Sequence, residues 1–126
     1  MSFLDKYGSL ILGITRIVVG LLFLEHGTAK LLHFPVVPMF AHGPLPPLML
    51  VSGIIELVGG ALVALGFFSR IAAFVCSGQM AVAYFIAHFP ANFFPILNGG
   101  ELAIVYAFVF LYLAAAGPGS LALNNK

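Results

Sequence analysis

Apolar residues fall along this chain in four long blocks, separated by short segments rich in proline, glycine and asparagine. Each helical residue advances the chain by about 1.5 Å, so about 20 residues cross a hydrocarbon layer roughly 30 Å thick. The pattern predicts spanning helices over about 9–32, 48–68, 71–89 and 99–116. Irregular spanning segments are excluded, because unpaired backbone groups are too costly in lipid.

The breaks between blocks have their own chemistry. Residues 34–47, FPVVPMFAHGPLPP, hold five prolines, which cannot continue a regular helix. Around Gly66 to Arg70 a tight hairpin is expected, with Ser69 placed to cap the third helix. Pro90, Pro95, Asn92 and Asn98 interrupt the chain before the fourth block, and Gly117, Pro118 and Gly119 stop it afterwards, leaving a short polar tail.

Composition makes the solvent explicit. Of 126 residues, 62% are apolar and 7% charged, with a mean hydropathy of +1.14. A soluble domain needs about a quarter charged residues to cover itself, and a chain this short cannot hide so much apolar surface in one core. The expected fold is an all-α membrane protein, one domain over 1–126, built as a four-transmembrane-helix bundle in contact with lipid. The first block runs past the length of a signal-peptide core and carries Arg16, Glu25 and Lys30, so it reads as a retained helix. Lys6, Arg70 and Lys126 fall on one side of a four-span topology, and neither long connection on the other side has a Lys or Arg. The positive-inside rule then puts both termini in the cytoplasm, with Lys30 as the single opposing charge. A net charge of +1 with no basic patch excludes nucleic-acid binding. Cys76 stands alone in an apolar run, which suits a packed thiol and excludes an internal disulfide.

Candidate chemistry lies in residues that do not belong in hydrocarbon. An ionisable group at the membrane centre costs roughly 2.5 kcal/mol or more and needs a partner or water. Glu25, His26, Lys30, Glu56, His88 and Glu101 all fall in the outer half of the predicted bundle. Arg16 lies in the inner half, where it either reaches the headgroups or turns inward to a carboxylate. At 100° per residue, Gly13, Gly20 and Gly27 form a stripe suited to close helix contact. Gly53, Glu56 and Gly60 share a face of the second helix; Ser77, Tyr84 and His88 share one on the third, with Gln79 pointing elsewhere; Glu101 stacks over Val105, Phe108 and Tyr112 on the fourth. These alignments predict an outer cavity with aromatic walls, unless the charged groups only pair to set helix register. No metal site is expected: no Glu-x-x-His pair occurs, and Glu25 and His26 diverge by about 100°.

Arg16, the stretch EHGTAKL from Glu25, LVSGIIELVGGALVALGFFSRIAA from Leu50, His88, and NGGELAIVYAFVFLYLAAAGPGSLAL from Asn98 follow in an order that resembles the DoxX-like family of small bacterial membrane proteins. The resemblance implies a four-helix membrane fold in the bacterial inner membrane. It picks out Arg16, Gly20, Gly27, Lys30, Glu56, Gly60, Gly66, Arg70, His88, Asn98, Gly100, Glu101, Gly117 and Gly119. Some relatives serve as subunits of thiosulfate:quinone oxidoreductase, others as partners in assemblies that handle thiol or oxidative stress.

Two functions are therefore expected. In one, the chain is a membrane subunit of an oxidoreductase assembly, with a partner protein or a second copy. Glu56, His88 and Glu101 would then exchange protons, and Lys30, Tyr84 and His26 would bind a quinone. In the other, it is a non-catalytic scaffold or a carrier of small solutes or lipid.

Overall fold

A computed structural model describes residues 2–41 and 43–126. A short helix α1 (Ser2–Asp5) precedes α2 (Gly8–Leu32), α3 (Pro47–Leu65), α4 (Ser69–Ala83), α5 (Pro95–Asn98) and α6 (Glu101–Ala116), and no strand occurs among the described residues. Helix α4 continues through a π-helical turn, Tyr84–His88, and a 3₁₀ turn, Phe89–Ala91. Three helical stretches are long and apolar enough to cross a membrane: Gly8–Leu32, Pro47–Leu65 and Ser69–Ala91. Helix α6, with 16 residues, is equally apolar but shorter.

The helix ends follow the local chemistry. Prolines at the start of α3 stand where a helix has no use for the N–H they lack. Gly66 ends α3 with φ +68, a left-handed conformation that an L side chain rarely adopts. Ser69 is buried and begins α4, although Phe68 holds the N-cap position and no side chain caps that helix.

Helix α2 packs chiefly on α3, α4 chiefly on α6, and α3 on α4. The glycine stripes make the first contact: a Cβ at Gly20 would stand 2.6 Å from the Ala64 amide nitrogen, one at Gly60 2.7 Å from that of Leu24. Any larger side chain there would force the two backbones apart. Phe23 reaches across to α6, 4.8 Å from Phe110 and 5.3 Å from Tyr106, and these rings pack with Val63, Ala73, Cys76 and Met80 to form the core. Cys76 is buried and unpaired, in line with the packed thiol expected.

Two ends can be distinguished. At the terminal end, the start of α2, the α3–α4 turn and residues 117–126 meet. At the loop end lie the two long connections, 33–46 and 89–100.

The tail differs most from expectation. Residues 117–126 fold back over the terminal end: Ser120 N–H donates to Ser9 O at 3.0 Å, Asn124 N–H to Gly66 O at 3.1 Å, and Arg70 N–H to Lys126 O at 3.3 Å. Arg16 is wholly enclosed there, and it meets neither headgroup nor carboxylate. Its Nη1 donates to Pro118 O at 2.8 Å and its Nη2 to Leu121 O at 2.8 Å. A guanidinium can do this because its planar fork presents five donors in fixed directions.

Candidate functional site

The predicted polar residues do not share one cavity. Structure divides them between a buried network, a capped corner, an open cleft and the outer surface.

The network joins α2, α3 and α4. Lys30 Nζ lies 2.8 Å from Glu56 Oε1 and 3.0 Å from Oε2, and donates to Ser52 Oγ at 3.0 Å. This is the sole ion pair among the described residues. Ser52, one helical turn before Glu56, donates to its Oε2 at 3.1 Å, and Gln79 Nε2 donates to Ser52 Oγ at 2.8 Å. All three ammonium protons are engaged, and the serine hydroxyl gives one bond while receiving two. The side chains of Lys30 and Glu56 are 11% and 3% exposed, so neither can be solvated instead. Gln79 does point away from Tyr84 and His88, as its helical angle predicts, but it points into this network.

The corner lies where α4 meets α5. Asn98 donates through Nδ2 to Tyr84 Oη at 3.1 Å and to Asn92 O at 2.9 Å, and its Oδ1 accepts from Gly100 N–H at 2.8 Å. The Nδ1 of His88 lies 3.1 Å from Asn98 O. The π turn advances the chain by one extra residue per turn and brings Tyr84 and His88 to this one corner, their rings 6.3 Å apart and nearly parallel.

The cleft opens between the loop end of α2 and the 33–41 connection. It holds about 280 Å³ and is lined by Glu25, His26, Ala29, Pro35, Val37, Met39 and Phe40. Its wall is mainly apolar. The His26 ring stands edge-on to Tyr106, with centroids 6.1 Å apart. Phe40 connects the cleft to the network, since Lys30 Nζ lies 5.5 Å from its ring centroid.

Glu101 is exposed and makes no ion pair among the described residues. Val105, Phe108 and Tyr112 share its face, as the spacing predicts, but that face is outward, with exposures of 55%, 68% and 62%. The inward face of α6 carries Ala103, Tyr106, Phe110 and Leu113. Glu101 therefore does not cap an aromatic-walled cavity. Among the described residues no group of three or more His, Cys, Asp or Glu could hold a metal ion.

The DoxX family model matches residues 11–89, which include Arg16, Lys30, Ser52, Glu56, Gln79, Tyr84 and His88. The chain belongs to the DoxX family. An uncharacterized protein of Haemophilus influenzae is 48% identical to this DoxX chain over 130 residues, covering 100% of this chain and 97% of the relative. No solved structure matches it. With apolar helices of spanning length, this DoxX protein is a membrane protein whose outward faces contact lipid.

Sequence reasoning overlooked Ser52, although its spacing from Glu56 puts both on one helix face. It read Asn98 as a break in the chain and through resemblance, whereas its side chain organises the whole α4–α5 corner.

Proposed function

We propose that this DoxX protein is a four-span subunit of an oxidoreductase assembly in the bacterial inner membrane, with both termini cytoplasmic, and that its loop-end cleft receives a quinone headgroup. The observation that carries this reading is the cleft. It is mainly apolar, large enough for one substituted ring, and edged by Glu25 and His26, neither of which makes a side-chain ion pair or hydrogen bond among the described residues. Binding sites of this kind join an apolar wall to a few polar groups that fix orientation.

The residues fit such a group in a specific way. Val37, Met39, Phe40 and Ala29 would hold the ring, and the His26 imidazole and Glu25 carboxyl would hydrogen-bond its oxygens or pass protons to them. A bound quinone supplies two-electron redox chemistry, with electrons coming from a partner protein. Lys30 and Glu56 have a different part, because their donors and acceptors are already used: they hold α2, α3 and, through Phe40, the cleft wall in place. Tyr84 and His88 serve the corner, and Glu101 faces outward, where a partner can reach it.

A second reading is favoured by that same saturation. If the network is a lock alone, the bundle is a scaffold or a carrier, and the cleft takes a lipid or small solute. Purification of the chain in nanodiscs followed by extraction and quantification of quinone separates the two. Near-stoichiometric quinone, lost in His26→Ala and Glu25→Gln but kept in Glu101→Gln, is the result expected. Absence of quinone, with no saturable binding of added ubiquinone or menaquinone analogues, rejects the quinone reading.

A further inference from the structure

Every charged side chain is missing from residues 89–100, FPANFFPILNGG, and Asn92 is the exposed polar side chain among them. Phe89, Phe93, Phe94, Ile96 and Leu97 stand outward with exposures of 40%, 71%, 58%, 78% and 67%. A connection in water normally shows the reverse, because loops run over the wet surface and solvate their own backbone there. Phe85, on the π turn, continues the same face, and the rings of Phe85, Phe89, Phe93 and Phe94 follow one another with centroid separations of 5.8, 6.1 and 5.4 Å. This ladder begins inside the stretch Ser69–Ala91, which is apolar and long enough to cross a membrane.

Part of the connection's backbone is satisfied internally. Leu97 and Asn98 N–H both donate to Phe94 O, at 2.9 and 3.0 Å, and Phe94 N–H donates to Asn92 Oδ1 at 2.9 Å. Asn98 takes Asn92 O and Gly100 N–H, and His88 engages Asn98 O. Asn98 is buried against backbone and the Tyr84 hydroxyl, Asn92 is exposed but accepts from Phe94 N–H, and the large apolar side chains point out. Lipid-exposed irregular backbone does not occur within the hydrocarbon core, so such a connection sits in the interface, where headgroups serve the groups that the protein leaves open.

Helix length points the same way. The 16 residues of α6 cover about 24 Å, short of a hydrocarbon layer roughly 30 Å thick. Something apolar must complete the span at one end, and α5 with its neighbours adjoins the start of α6.

We infer that residues 89–98 form a lipid-embedded corner, lying in the bilayer interface with Phe89, Phe93, Phe94, Ile96 and Leu97 among acyl chains and headgroups, and with Asn98, Asn92 and His88 acting as substitutes for water on its backbone. The inference rests on the reading that α6 spans the membrane. It also changes what Tyr84 and His88 are for: they belong to the device that lets a loop leave water.

The chain has no tryptophan, so a single introduced one reports without background. Phe93→Trp, Ile96→Trp and, in the middle of α6, Phe108→Trp are reconstituted one at a time in vesicles of phosphatidylcholine and phosphatidylglycerol. Quenching by lipids brominated at shallow or deep positions is compared with quenching by aqueous iodide. The expected result is blue-shifted emission at 93 and 96, strong loss of signal with shallow bromine, and little with iodide, while 108 responds to deep bromine. Adding Asn98→Ala to the Phe93→Trp chain should red-shift the emission and open it to iodide, with the Phe108→Trp response unchanged as a sign that the bundle is intact. Iodide quenching at 93 and 96 with deep bromine quenching retained at 108 overturns the embedded corner alone. Loss of bromine quenching at 108 overturns the four-span reading on which it rests. Protection of 93 and 96 from both quenchers overturns it in favour of a second protein copy covering the corner.

Discussion

The two ends of this bundle solve the same problem differently. Each must accommodate a cation on α2, Arg16 at the terminal end and Lys30 toward the loop end. Arg16 is surrounded by backbone carbonyls from a returning tail, and no carboxylate approaches it. Lys30 is paired with Glu56 and braced by Ser52 and Gln79. A carbonyl cradle needs a segment of chain folded in one shape, so it ties the terminal end together through main chain. A side-chain pair needs only two helices at the right separation, and it leaves space beside it, which is where the cleft lies. The ends differ in how the cation is held rather than in room: a cleft of about 240 Å³ lies between the start of α2 and Val109, Tyr112 and Leu113 of α6, against about 280 Å³ at the loop end.

Replacing Arg16 tests the closed end most severely. Arg16→Met should remove two short hydrogen bonds from a charged donor, about 1.5–3 kcal/mol each, and free the tail as a unit. Rapid carboxypeptidase trimming of residues 117–126 and a large drop in the thermal unfolding midpoint in detergent are expected; a tail that stays resistant would mean that the cradle holds without its cation. Arg16→Lys should recover only part of the loss, since an ammonium cannot reproduce the fork.

At the other end, Glu56→Ala strands a buried ammonium and should cost about 3–5 kcal/mol, whereas the double change Lys30→Met with Glu56→Leu should come close to the parent. A denaturant-based double-mutant cycle reads the difference. If the double variant is as damaged as the single one, the pair contributes more than mutual neutralisation, through the bonds that Ser52 makes with both partners.

The smallest effect belongs to Gln79. Its Nε2 makes one bond to Ser52, but its buried Oε1 has no partner among the described residues. Gln79→Leu gives up the first and relieves the second, so stability should change by no more than about 1 kcal/mol. A larger loss, measured by the same unfolding assay, would show that Oε1 is served by a bound water that the network depends on.

How much of this was legible beforehand follows from where the information sits. The all-helical character and the three long apolar helices were, because apolar length and proline breaks are properties of the sequence alone. The buried glycine stripes were too: Gly13, Gly20, Gly27, Gly53 and Gly60 all face inward, as their spacing requires. Angular phase was read correctly even for Gln79 and Glu101, but phase does not say which neighbour a face meets. A helix with two packed faces, such as α4, sends Ser77 to Ala107 O on α6 and Gln79 to Ser52 on α3. One supposed cavity thus became several places. The tail was illegible for another reason. Arg16 binds main-chain oxygens, and every residue has one, so Pro118 and Leu121 carry no mark of being its acceptors.

That cradle also orders events in time. Arg16 lies in α2, and its acceptors follow 102 to 105 residues later. While α3, α4 and α6 are being made, the guanidinium has none of its final partners. The terminal end can close only after residues 118–121 have been made.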